Sequence, residues 1–143
     1  MFTRPAGSIS WVERYAAFAL GAAFLSAVAS RFGLWTGRPW DAAFAGFTAY
    51  TAEVNAFMPG WTIPFLAWSA TLAETACGTL LVLGLWTEAA ATASAVLLAL
   101  FAMAMAASQG VKSPLDYSVF SASAAALLLA DRLRRRRLGP TGA

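Results

Sequence analysis

Apolar residues gather into four long runs, at 15–30, at 54–73 continuing past Glu74 to 87, at 89–111 and at 117–130. Trimmed by breakers and charges, these runs predict helices over 11–33, 61–85, 89–108 and 115–133. Tryptophans bracket the first two, Trp11 with Trp35 and Trp61 with Trp86. At 1.5 Å per residue the members of each pair stand about 36–37 Å apart, the spacing of the two headgroup belts around a hydrocarbon layer of about 30 Å. The fourth run has fewer uncharged residues, so its span takes in Leu115 and Leu133, with Asp116 and the following arginines reaching toward water.

Between the first two runs, residues 40–58 follow a different rhythm. Trp40, Phe44, Phe47, Val54 and Met58 share one helical face, and Asp41, Thr48 and Asn55 recur by sevens on another. This predicts an amphipathic helix lying in the outer interface or capping the bundle, rather than a fifth span. Small residues also recur at helical spacing: Ala23, Ala27 and Ser30; Ala70, Glu74 and Gly78; Ala91, Ala95 and Ala99; Ser118, Ala122 and Ala126. Such faces let helix backbones approach closely inside a bilayer. The expectation is a single all-α domain over 1–143, a polytopic membrane four-helix bundle with one interfacial helix. The stretch Ala27-Val28-Ala29-Ser30 has the form of a signal-peptidase site, but Glu13 and Arg14 against the apolar run and Trp35 beyond it favour a retained span.

Composition agrees with the pattern. Of 143 residues, 59% are hydrophobic and 12% charged, and mean hydropathy is +0.63, which sets the chain apart from soluble globules and from disordered chains. The absence of histidine excludes histidine-ligated haem, most zinc sites and histidine-based proton transfer. A lone Cys77 excludes an internal disulfide and a C-x-x-C pair, and no phosphate-binding glycine loop occurs. The net charge of +3 comes largely from Arg132, Arg134, Arg135, Arg136 and Arg137. They suit a basic cytoplasmic tail over 132–143 better than a nucleic-acid surface, and they orient both termini to the cytoplasm, with Arg4 and Arg14 on the same side. Arg31, Arg38 and Lys112 then fall on the outer side.

Glu74 carries the strongest chemical signal. It sits midway between Trp61 and Trp86, where an ionised carboxylate costs roughly 2.5–3.5 kcal/mol on insertion scales. It therefore faces the bundle interior, as a proton-accepting or head-binding group or as a structural carboxyl bonded across helices. Its candidate partners are Arg31, Lys112 and Tyr117. Arg31 stands two to three turns shallower, within reach through a bridging water or ligand, and reads equally as a snorkelling anchor. Ser113-Pro114-Leu115-Asp116 resembles a capping box, so Asp116 reads first as a cap, with Lys112 pairing to it or to Glu53. Tyr117 is placed to donate to a quinone carbonyl or a sulfur oxyanion. Cys77, Met103 and Met105 read as packing residues.

The run Gly110-Val111-Lys112-Ser113-Pro114-Leu115-Asp116-Tyr117-Ser118-Val119-Phe120-Ser121-Ala122-Ser123 resembles the last-span signature of a DoxX family subgroup. Leu72-Ala73-Glu74, Gly78, Gly84, and Gly21 with Arg31-Phe32 are also similar to that family's pattern, over roughly residues 12–131. The family comprises four-helix membrane proteins related to the membrane subunit of an archaeal thiosulfate:quinone oxidoreductase. The resemblance implies a redox-associated subunit of the bacterial plasma membrane that contacts quinone and a redox partner protein, as part of a complex or a homo-oligomer. It carries over Glu74, Lys112, Asp116 and Tyr117, with Arg31 behind them, as binding residues. No residue set for holding a redox cofactor exists in the sequence, so electrons would pass through a partner or the quinone itself. Two other readings stay open: a small proton-linked transporter with Glu74 as the midplane site, and a structural scaffold.

Overall fold

A computed structural model describes residues 9–139, and among these every regular element is a helix. The helices are α1 (Trp11–Arg31), α2 (Trp40–Val54), α3 (Ile63–Leu83), α4 (Thr87–Gln109), α5 (Lys112–Asp116) and α6 (Val119–Leu138), with one 3-10 turn at Gly60–Thr62 leading into α3. Among the described residues three segments are long and apolar enough to cross a membrane: Trp11–Arg31, Gly60–Leu83 and Thr87–Gln109. α6 is of similar length, but its last turns carry the arginines. Exposed tryptophans cluster at both ends of the bundle, Trp11 and Trp86 at one and Trp35, Trp40 and Trp61 at the other. Their amphipathic rings suit the two headgroup levels.

Each helix starts and stops for local reasons. Ser10 and Glu13 form a reciprocal capping box at the head of α1, the Ser10 amide donating to Glu13 at 2.7 Å and the Glu13 amide to the Ser10 hydroxyl at 3.3 Å. Gly84, in the left-handed region at φ 70°, stops α3 and lets the Leu85 amide reach back to the Leu80 carbonyl at 2.9 Å. α2 ends at Val54, shorter than the expected 40–58, because the chain turns at Asn55 toward Pro59.

The fourth apolar segment also differs from expectation. Gly110 ends α4 and a separate short helix begins at once, so Ser113 lies inside its first turn and bonds to the Gln109 side chain at 2.8 Å. Ser113 and Asp116 therefore make no capping box. Asp116 pairs instead with Lys112 one turn back. Ser118, left-handed at φ 55°, turns the chain into α6, which runs over Val119–Leu138 rather than 115–133.

The helices assemble as two close pairs, α1 along α3 and α4 along α6. Glycine makes the first pairing tight. A Cβ placed on Gly21 would lie 2.7 Å from the Gly78 carbonyl oxygen, and one on Gly78 would lie 3.1 Å from that of Gly21. The buried core of Ala17, Phe24, Cys77, Leu81, Ala90, Ala91, Leu129, Ala130 and Leu133 joins the two pairs at the end that holds the start of α1 and the close of α6. There the arginines do not hang free as a tail. Arg136 approaches buried Glu13 at 3.0 Å, Arg137 grips Glu88 at the head of α4 through bonds of 2.8 and 3.0 Å, and Arg135 bonds Asp131 at 2.7 Å. Arg4 and the tail residues 140–143 lie outside the described residues.

At the opposite end the pairs separate, and α2 lies across α1, α3 and α4. Its apolar face is close to the expected one: Phe44 and Val54 are buried and Phe47 half-buried, but Trp40 and Met58 are exposed, and Thr51 joins the buried side. Phe44 stacks between Trp68, 4.4 Å away, and Phe32, 5.9 Å away, fastening α2 to the ends of α1 and α3.

Gly21→Val should force α1 and α3 apart and lower stability by about 1–3 kcal/mol, whereas Gly46→Ala, with open space around its added Cβ, should be neutral or slightly stabilising. Thermal unfolding of the two variants in the same detergent would separate these effects.

Candidate functional site

The separation of the two helix pairs leaves a cavity of about 960 Å³ beneath α2. Leu20, Phe24, Leu97, Leu98 and Phe101 supply much of its apolar wall, and its polar groups come from Arg31, Tyr50, Thr51, Asn55, Ser69, Glu74 and Tyr117. Arg31 and Glu74 are the two charged residues along its lining.

These two form a direct ion pair. Arg31 Nη2 donates to Glu74 Oε2 at 2.6 Å, with side chains only 9% and 3% exposed. Arg31 Nη1 donates to the Thr71 hydroxyl at 3.1 Å, and that hydroxyl donates to the Ala67 carbonyl at 2.8 Å. The Phe47 ring of α2 covers the guanidinium, with Cζ 3.8 Å from the ring centre. Arg31 is thus an interior residue rather than an end anchor.

No bridging group is needed, and the reason lies in the Gly21–Gly78 crossing. Arg31 stands ten residues above Gly21, about 15 Å along α1, and Glu74 four residues above Gly78, about 6 Å along α3. The resulting offset of about 9 Å is less than two turns, and the extended arginine side chain covers it.

Of the other residues expected at a site, Tyr117 lines the cavity. Lys112 and Asp116 pair with each other on the exterior, with side chains 84% and 56% exposed, and are not part of the lining. Among the described residues no cluster of acidic, cysteine or histidine side chains is suited to a metal ion. Sequence reasoning passed over Tyr50 and Asn55. Asn55 falls on the polar stripe of α2, but the bend that ends the helix turns it to the cavity, its side-chain amide donating to the Thr51 carbonyl at 2.9 Å. Burial, with the nearby Tyr117 and Glu53, raises the Tyr50 phenol above its ordinary value.

Chemically, the arrangement offers a fixed dipole of buried opposite charges, two phenols and an amide around an apolar volume. That combination is suited to binding and orienting a ligand with an apolar body. No known protein family, curated protein or solved structure matches this chain.

Arg31→Met or Glu74→Met alone strands a desolvated charge and should cost about 3–5 kcal/mol, whereas the two changes together should recover most of that loss. Unfolding of the wild type, both single variants and the double in one detergent gives the coupling energy; additive losses would show that the pair does not act as a unit.

Proposed function

We propose that this chain is a DoxX-like integral membrane protein that serves as a redox-associated accessory subunit, binding quinone or a small anion in the cavity beneath α2. The observation that carries the reading is the desolvated Arg31–Glu74 pair beside a wide apolar cavity. Close packing is the rule inside helix bundles, so an apolar recess of this size with a few placed polar groups favours a ligand over a purely structural role. Ligand pockets pair apolar walls with a few placed polar groups in volumes of roughly 300–1,000 Å³. Arg31, Tyr50 and Tyr117 offer donors to a quinone carbonyl or an oxyanion. A redox partner protein in the same membrane supplies or removes the electrons.

In this reading α6 is the fourth span. Its 20 residues reach about 30 Å, and its arginines sit at the headgroup level. Both termini then lie in the cytoplasm of a bacterial cell, by the excess of arginine at that end, and α2 lies in the outer interface. The ion pair weighs against proton-linked transport, since a travelling proton at Glu74 would first have to break its contact with Arg31.

Lipid extracts of protein purified in mild detergent should contain quinone with the wild type and little or none with Ala104→Trp, which fills the cavity wall. An empty wild-type cavity, together with pH-dependent solute flux in proteoliposomes, would replace this reading with the transporter. For topology, Gly37→Cys in intact cells should react with an impermeant maleimide while buried Cys77 does not. Labelling of Gly37→Cys only after lysis would invert the orientation.

A further inference from the structure

The charge balance of the cavity restricts what it holds, and this inference rests on the cavity being a ligand site. The two charged residues of its lining already neutralise each other at 2.6 Å. A ligand carrying its own charge would bring an uncompensated ion into a low-dielectric space, at a cost of several kcal/mol. The remaining polar groups, Tyr50, Thr51, Asn55, Ser69 and Tyr117, are all neutral hydrogen-bonding groups.

Their placement is also asymmetric. Tyr50, Asn55 and Tyr117 come from α2 and the turn before α6, at the outer end, whereas Leu20, Phe24 and Leu97 line the depth toward the core. Access does not require passage through water. Leu100 and Met103 lie within an apolar, span-length helix, line the cavity and remain more than half exposed. An apolar chain dissolved in the surrounding hydrocarbon can therefore slide past them.

We infer that the cavity selects a single-chain amphiphile with an uncharged, hydrogen-bonding head, taken laterally from the bilayer and held with its head under α2 and its chain toward the core. Neutrality is the discriminating property. It separates such ligands from fatty acids, from charged phospholipids and from the small anions that the broader reading admits.

Two photoreactive probes of equal chain length test this, a diazirine-bearing fatty alcohol and the corresponding carboxylate, applied to the protein in nanodiscs at a pH where the acid is ionised. The wild type should show saturable labelling of cavity residues such as Leu97 and Phe101 by the alcohol, with the carboxylate weaker by about tenfold or more. Glu74→Gln leaves Arg31 uncompensated and should reverse the order. The double variant Arg31→Met with Glu74→Met, neutral again, should keep the alcohol preference. Equal or stronger saturable labelling by the carboxylate in the wild type would overturn the neutral-head inference while leaving the cavity a ligand site. Non-saturable labelling by both probes, confined to outward residues such as Phe65 and Leu128, would overturn the ligand-site reading together with this inference.

Discussion

A guanidinium and a carboxylate held 2.6 Å apart in an apolar interior set the terms for the rest of the bundle. Neither charge is tolerated there alone, so every element around them serves to keep them together. The Gly21–Gly78 crossing brings α1 and α3 near enough for the side chains to meet. Thr71 satisfies a second guanidinium nitrogen, and Phe47 covers the face that water would otherwise reach. In this sense α2 belongs to the site as much as to the fold. Phe44, packed against Phe32 and Trp68, anchors the helix whose Phe47 ring shields Arg31.

The cavity beside the pair follows from the same geometry. Two helix pairs joined by a core at one end diverge toward the other, and α2 closes the opening without filling the volume below it. Close packing at one end and a void at the other are thus one arrangement. The polar groups lie where the helices part, and the apolar wall lies where they converge.

Much of the helical layout was readable in the chain, because hydropathy and tryptophan placement act residue by residue. α1, α3 and α4 begin and end within two or three residues of the expected bounds. Glu74 was legible as an interior group for the same reason: a carboxylate amid apolar residues has few places to go. Arg31 as its direct partner was not, since the offset depends on where two helices cross, a long-range quantity. The small-residue stripe of Ala23, Ala27 and Ser30 pointed to the right helix but the wrong side of it; the close contact is made by Gly21. The boundary at α5 and α6 was misjudged because Ser118 adopts a left-handed backbone that serine seldom takes. The capping box at Ser10 and Glu13 was spelled out in sequence, yet Glu13 drew notice only as a charge flanking a span.

The arginine contacts at the end of α6 bear on how the molecule is made. Glu13 and Glu88 head the first and fourth helices, but the cations that meet them, Arg136 and Arg137, follow both in the chain, at the close of α6. Until they are made the early helices carry anionic ends with no internal counter-charge, and α4 lacks the partner it packs against most extensively. Closure of the bundle at this end therefore waits until α6 has been made. A nascent chain halted before the arginine run would leave both acidic helix starts without these cations and the flank of α4 uncovered.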